Sequence, residues 1–599
     1  MLRCTFFALA LLGATALTAH TKTAPPDLSG AWLISYSLPG GTREANLCIL
    51  KIETKDGKPT ASVVAVPKGT NITLKSFDVS NKEVTVALAN GPSFIGVISD
   101  DAKTILGGFG TDAAQSRGKM VRTGQESIDS RFTSSEAPAE LVKAEQLTTR
   151  PNMLRIQIIQ TKEADKKKEL MAEMSEVQKE AEEKLPGLYR AVIEKKADTP
   201  IALDAALPLL QSARKWKVTA SEAKNLLKII EAQSTRFGPK YSDFVTLEAA
   251  ESLVATKGLE AIAVGVLRTR SKELTDKDPA AFQVRVLTAS KTALEASGAT
   301  EEAKAVDGRL GKIEARLDQE YLATVPPFKP TPFAGRQEKG ANQVAVLELF
   351  TGAQCPPCVA ADVAFDALGK SYSPSEVVLI QYHMHIPGPD PLTNPATIAR
   401  WDYYRKLFPQ GVRGTPTTIF NGKVQAGGGG GMANAQSKFT QYREIIDPIL
   451  EKTTSVKVSG KAIQKNDKVE IAVDVAGAPT EGELKLRVLV VEESIRYVGG
   501  NRLRFHHHVV RAIPGGAAGV TVKEANLRHT TTADLLAVRK DLNNYLDDYA
   551  ANERPFPSKV RPLDLKHLKV IALIQDDKTG EILQAAQIEV DDKVASGGQ

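Results

Sequence analysis

Cysteine is scarce in this chain: four in 599 residues, namely Cys4, Cys48, Cys355 and Cys358. A secreted scaffold stapled by disulfides needs more, so the domains must fold on apolar cores. No second C-x-x-C accompanies Cys355 and Cys358, so a four-cysteine zinc site is excluded. Val359, not histidine, follows Cys358, which excludes haem attachment. The run Gly427–Gly431 has no lysine in the P-loop place, so it is not a phosphate site. Beyond the N-terminus no stretch reaches about 18 consecutive apolar residues, so the mature chain is expected to be soluble and without a transmembrane segment. Charge of one sign never accumulates. The net charge of +6 is mild and its signs are interspersed, which points to neither nucleic acid nor an anionic membrane as partner.

What is present is a long chain of ordinary globular composition, 42% hydrophobic and 25% charged. At roughly 150 residues per domain it predicts about four domains. Residues 1–19 read as a secretory signal: Arg3 is the positive n-region, Phe6–Leu12 a short apolar core, and small residues lead to a cut after Ala19, or earlier after Ala16. Cys4 precedes the apolar core, where a lipoprotein cysteine would follow it, so Cys4 leaves with the signal. The expected location is therefore outside the cytoplasm: the periplasm or cell envelope, or the extracellular space.

Residues 27–125 alternate in short runs, such as Ser62–Val66 and Glu83–Leu88, broken by Gly, Asn and Asp turns. This predicts an all-β barrel or sandwich with no visible chemistry. Residues 130–325 switch to Ala, Leu, Glu and Lys with apolar residues at helical spacing, as at Leu170, Met174, Val177 and Ala181. This predicts an α-helical domain of bundled or stacked hairpins without a fixed repeat. Lys166–Lys168 reads as a solvated helix face or a docking face. Residues 326–334 form a Pro-rich linker, since Pro326, Pro327, Pro330 and Pro332 cannot continue a helix.

Chemistry gathers after that linker. Val344–Phe350 is a buried strand, Thr351–Gln354 a loop, and Cys355-Pro356-Pro357-Cys358 opens a helix through Ala360, Val363, Phe365 and Leu368. Two cysteines three apart at a helix start can close a small disulfide loop. Unpaired N–H groups and the helix dipole favour a thiolate there. Cys355 is the expected nucleophile and Cys358 the resolving thiol. His383 and His385 could complete a Cys2His2 zinc set, but the strand-loop-helix context argues for redox chemistry, so neither metal nor cofactor is expected. A second strand, Val377–His383, follows. Later, Gly414-Thr415-Pro416-Thr417 leads into the strand Thr418–Phe420 and the turn Asn421-Gly422.

With C-P-P-C and G-T-P-T in that order, residues 335–452 resemble the thioredoxin-like superfamily, in particular envelope proteins of the TlpA/DsbA type and outer-membrane-associated relatives. The resemblance implies an α/β thioredoxin-like domain, a cis-Pro416 beside the cysteines, and a Thr415 backbone that pairs with a bound substrate chain. It also implies protein thiols or disulfides as partners, with an envelope redox partner. Two features narrow it. No tryptophan precedes Cys355, and His383–Phe408 looks like an insertion. Family members often bury an acid six residues before the first cysteine, where this chain has Leu349. Adjacent Glu348 should point to the other strand face. It stands as a proton-transfer candidate beside the plainer reading of a surface or loop-anchoring carboxylate.

Residues 453–592 return to strands, with one helix near 532–551 and a closing hairpin, and predict a β-sandwich. His506 and His508 would share a strand face, as a polar contact or as part of a metal site. Cys48 alternates with Leu50 and Ile52 and reads as a buried, inert thiol. The fold class expected is thus multidomain: an N-terminal all-β domain, an α-helical domain, an α/β domain and a C-terminal β-sandwich. The expected function is an exported thiol–disulfide oxidoreductase acting on protein thiols. The alternative is an envelope binding or scaffolding protein that uses the same fold as a platform.

Overall fold

The computed structural model describes residues 27–592 except 56–57, 90, 112–113, 557 and 559. The signal segment, with Cys4, lies outside the described residues. The chain is β-rich towards both ends and helical between, in two compact units that divide after Arg316.

In the first unit, β1 (Gly30–Ser37), β2 (Arg43–Lys55), β3 (Lys58–Ala65), β4 (Leu74–Ser80), β5 (Glu83–Leu88), β6 (Ser93–Ile98), β7 (Thr104–Thr111) and β8 (Ala114–Arg122) form an antiparallel sheet. Its strand order is β3-β2-β1-β8-β7-β6-β5-β4, and the short β9 (Phe132–Ser134) pairs with β2. Alternation turns Trp32, Ile34, Cys48, Leu50, Val84, Val86 and Phe94 into one buried core. Eight helices follow: α1 (Ala139–Gln160), α2 (Ala164–Lys196), α3 (Leu203–Gln211), α4 (Ala220–Ser234), α5 (Pro239–Val254), α6 (Glu260–Glu273), α7 (Ala280–Ala296) and α8 (Thr300–Thr324). Their apolar stripes, such as Leu226 and Ile230 on α4 and Leu247, Ala250 and Leu253 on α5, meet in a second core. The last turns of α8 belong to the second unit.

The second unit alternates strand and helix and then returns to strands. Its elements are β10 (Ala345–Thr351), α9 (Val359–Gly369), β11 (Val377–His383), α10 (Pro395–Leu407), β12 (Thr417–Phe420), β13 (Lys423–Ala426), α11 (Ala435–Leu450), β14 (Lys457–Lys465), β15 (Lys468–Ala476), β16 (Leu484–Arg496), β17 (Phe505–Ala512), β18 (Val520–Thr521), β19 (Leu527–Asp534), α12 (Leu535–Asn552), β20 (Leu568–Asp576) and β21 (Ile582–Asp592). β10 and β11 are parallel, with Thr351 opposite His383, and β12 runs antiparallel to β10.

Every residue of β10 and β11 is buried, as expected for strands covered on both faces. Ala345, Leu347 and Leu349 pack with Phe365 and Leu368 of α9 and Tyr442 and Ile446 of α11. Val346, Phe350, Ile380 and Tyr382 pack on the opposite face with Trp401 and Tyr404 of α10.

The structure departs from a free-standing C-terminal sandwich. β17 hydrogen-bonds to β11 through Gln381 and Val509, so residues 453–592 extend the sheet begun at 345. The strand order is β13-β12-β10-β11-β17-β16-β20-β21-β14-β15-β19, with β18 on β16. The far strands do face each other across an apolar layer, Ile471, Val473 and Val475 against Val488, Val490 and Val570. The reason for the departure is that a two-residue period shows which side chains are buried but not which strands pair.

Candidate active site

β10 ends at Thr351 and hands the chain to a loop held from three sides. The Ala353 N–H donates to Asp390 Oδ2 at 2.6 Å. The Asn501 N–H donates to the Ala353 carbonyl at 2.9 Å, and the Gly500 N–H to Gln354 Oε1 at 2.9 Å. The Thr351 hydroxyl donates to Asp362 on α9 at 2.8 Å. A single 3-10 turn, Pro356–Cys358, then enters α9. Proline suits this first turn because the N–H it lacks would have no helical partner.

Cys355 and Cys358 form a disulfide. Pro356 and Pro357 are exposed, yet Cys355 is only 1% exposed and Cys358 0%. The Thr415–Pro416 peptide is cis. Thr415 lies over the pair, its hydroxyl 3.5 Å and its carbonyl oxygen 4.0 Å from Cys355 Sγ. The glycine run Gly427–Gly431 is tied to the same turn. The Gly430 N–H donates to the Pro357 carbonyl at 2.7 Å, and the Ala360 N–H donates to the Gly430 carbonyl at 2.9 Å. A Cβ on Gly429 would stand 2.0 Å from the Pro357 oxygen and 3.0 Å from Pro416 Cδ. Only glycine permits that approach.

Sequence reasoning missed the buried polar groups that hold the loop before Cys355. Asp362, in the first turn of α9, is 2% exposed. Burial holds its carboxyl well above the usual range despite the Thr351 hydroxyl. Gln381 Nε2 donates to Asp362 Oδ1 at 2.9 Å, and Gln381 Oε1 lies 3.0 Å from His383 Nε2. His383 Nδ1 lies 2.9 Å from Asp390 Oδ2. Burial alone would raise Asp390, but His383 and the N–H groups of Leu392 and Ala353 outweigh it and hold Asp390 below its usual range. An acid in the first turn of the helix that follows C-P-P-C was the signal available in the sequence.

Glu348 is not at this site. It is fully buried on the α10 face, away from α9, where Arg400 donates to it through Nε at 2.8 Å and Nη2 at 3.0 Å, and Tyr382 at 3.0 Å. Tyr404 donates to it as well. The strand alternation expected this face. The surface or loop-anchoring carboxylate is corrected to a buried ion pair with Arg400.

The histidines are likewise engaged. His383 has both ring nitrogens occupied, and the His385 ring stacks on Tyr549 at 3.7 Å and accepts the Asp390 N–H at 2.9 Å. His508 lies within β17 with φ +52°, and the rings of the triplet part. His506 packs edge-on against His383, His507 Nδ1 lies 2.9 Å from Asp366 Oδ1, and His508 packs near Phe365. Among the described residues no three His, Cys, Asp or Glu side chains are grouped to hold a metal ion. Nor is any described helix long and apolar enough to cross a membrane. Cys48 is buried, and burial pushes its thiol up to about 12.

No family model matches the chain, and no curated protein does. Two solved structures are similar in part. Protein AGR_C_4864 from Agrobacterium tumefaciens is 17% identical over 43% of this chain and 99% of its own, with a TM-score of 0.28. HBP35 of Porphyromonas gingivalis is 14% identical over 44% of this chain and 80% of its own, with a TM-score of 0.30.

Proposed function

We propose that this chain is an exported thiol–disulfide oxidoreductase acting on protein thiols or disulfides through Cys355 and Cys358, within a thioredoxin-like domain spanning residues 335–452. The observation that carries the reading is the disulfide at the start of α9 with the Thr415 hydroxyl and carbonyl within 3.5 and 4.0 Å of Cys355 Sγ. A substrate thiolate attacks Cys355 Sγ, the Cys355–Cys358 bond breaks, and Cys358 leaves as a thiolate. The reverse sequence returns the disulfide and releases the substrate thiol. Thr415 and Pro416 line the place where the substrate chain would lie.

One observation favours a second reading. Cys355 is covered, so the domain serves equally as an envelope binding platform whose cysteines only close the turn. Cysteine variants decide between them. Cys355→Ser should abolish insulin reduction and thiol oxidation, and Cys358→Ser should accumulate mixed disulfides on non-reducing gels. Full activity in both variants would leave the platform reading.

A further inference from the structure

Five stretches of chain converge on Cys355. Its own loop, 352–357, is the first. Residues 411–417 bring the Thr415 hydroxyl to Cys355 Sγ, and residues 427–431 bond the Pro357 carbonyl. Residues 386–389 lie against the loop, where a Cβ on Gly352 would stand 2.9 Å from the Ile386 oxygen. The fifth stretch, 498–502, joins β16 to β17 and comes from outside residues 335–452. It docks on the residues immediately before Cys355. The Asn501 N–H donates to the Ala353 carbonyl at 2.9 Å, and its side-chain amide to the Gly352 carbonyl at 3.3 Å. The Gly500 N–H donates to Gln354 Oε1 at 2.9 Å. A Cβ on Gly499 would meet the Ala353 oxygen at 2.2 Å, so only glycine lets the turn come this close.

These five stretches contain no acidic residue and two arginines, Arg413 and Arg502. Both arginines are exposed, and among the described residues neither side chain has a hydrogen bond or an ion pair. Arg496 and Arg504, on either side of the same turn, differ: both donate to Asp318. The acid closest in sequence, Asp390, is fully buried and turned inward to the Ala353 N–H. Arg502 also sits at φ +62°, where a residue with a Cβ is disfavoured. The turn itself therefore does not call for arginine. Between the two charges the surface is apolar: Val498 is 41% exposed, and Pro356, Pro357 and Pro387 are exposed.

We propose that the turn Val498–Arg502, together with Arg413, forms a rim that binds the substrate polypeptide and selects for acidic side chains beside the substrate's cysteine. This rests on the reading of Cys355 and Cys358 as an exchanging pair. Cys355 is only 1% exposed, so a substrate sulfur reaches it only when the flanking chain lies across these stretches. Arg413 is two residues from Thr415, about 7 Å along the chain at most, and Arg502 follows the residue that holds Ala353. Two guanidiniums with no acid between them attract an anionic chain and repel a cationic one. Each also offers a fork of donors that matches a carboxylate.

The rim gives the strands after residue 453 a share in the site. β17 pairs with β11 through Gln381 and Val509, which sets the turn before β17 at the end of the sheet where Cys355 lies. The Gln354 amide donates to the Tyr497 hydroxyl at 3.5 Å, a further tie between that turn and the redox loop.

The test follows the reduced full-length chain as it reduces two disulfide-linked peptide dimers, alike except that glutamates or lysines flank the cysteine. The Cys355 thiolate attacks one peptide sulfur, and the other peptide sulfur leaves as a thiolate. The Cys358 thiolate then attacks Cys355 Sγ, the protein disulfide forms, and the second peptide thiolate leaves; both take up protons from solvent. The glutamate dimer should be reduced at least about tenfold faster than the lysine dimer, and the ratio should shrink as salt rises from about 0.05 to about 0.5 M. Arg413→Gln and Arg502→Gly should each lower the ratio several-fold. Glycine suits the backbone at 502, and a ratio cancels any effect on Cys355 itself. Equal rates for the two dimers, a faster lysine dimer, or a ratio that neither substitution moves would overturn the proposal. A ratio moved by Arg413→Gln alone would remove the Val498–Arg502 turn from the site and overturn it as well. Reduction of bis(2-hydroxyethyl) disulfide but of neither peptide would overturn the rim and leave the oxidoreductase reading standing. Reduction of none of the three would overturn that reading, and the rim with it.

Discussion

Glu348 and Asp362 show how two buried acids of the second unit come to opposite surroundings. Glu348 faces α10 and is matched by the fork of Arg400, whereas Asp362 faces the sheet from α9 with only neutral donors at hand. Removing the carboxylate from a buried pair leaves the guanidinium uncompensated, which costs about 3–5 kcal/mol. Glu348→Leu should therefore lose about that much stability in urea unfolding. In the protein that remains folded, insulin reduction through Cys355 and Cys358 should be unchanged. A slowed reduction would place Glu348 in the redox chemistry.

The sequence made Cys355, Cys358, Thr415 and Pro416 visible because each pair is a local pattern with a local meaning. The line from Asp362 to Asp390 was hidden for the opposite reason. Its members meet only because the parallel register sets Thr351 opposite His383, and no local period encodes that register.

Elements were legible where packing has a period. The helical run and the two buried strands follow from apolar spacing alone. The turn at Asn421 and Gly422, with φ of +42° and +82°, follows from residues that accept the left-handed region. The pairing of β17 with β11 was not legible, because it joins segments far apart in the chain. Nor was the seat of the glycine run, where composition suggested freedom and the backbone instead bonds the Pro357 turn. That seat makes a prediction. In Gly429→Ala the added methyl must displace the run from Pro357, at an overpacking cost of about 1–3 kcal/mol. Cys355 should lose its cover, so the disulfide should be reduced several-fold faster by dithiothreitol under native conditions. An unchanged rate would mean that Thr415 alone covers the pair.

On the scale of the whole chain, titration divides the two units. Seven of the eight histidines fall after residue 316, and the eighth, His20, lies outside the described residues. In the second unit burial pushes His506 down to about 3, and His508 and His385 to about 4. An unfolded imidazole takes its proton near pH 6.5. Between about 6.5 and 4 the unfolded unit therefore binds more protons than the folded one, and stability falls as the pH falls. Three groups act against this. Burial alone would lower His507, but Asp366 outweighs it and raises the ring, which favours the fold below pH 6.5. Burial holds Asp362 and Glu492 high, which also favours the fold in acid. The three depressed imidazoles, joined towards pH 4.5 by Asp390 and Asp318, which are held below their usual range, outnumber these three.

In the first unit the shifted buried acids lie on the other side of the balance. Burial raises Asp204, Asp243, Glu248 and Glu231, so the folded form binds the extra protons and stability is kept or gained as the pH falls towards about 4.5. Calorimetry from pH 7 to 4.5 should accordingly show two transitions that separate. The one assigned to the second unit, by the fluorescence of Trp401 in a chain with Trp32 and Trp216 replaced by Phe, should move down in temperature. The other should hold or rise. His508→Gln should flatten the descent of the first. Two transitions falling together would show that these imidazoles are not held neutral by the fold.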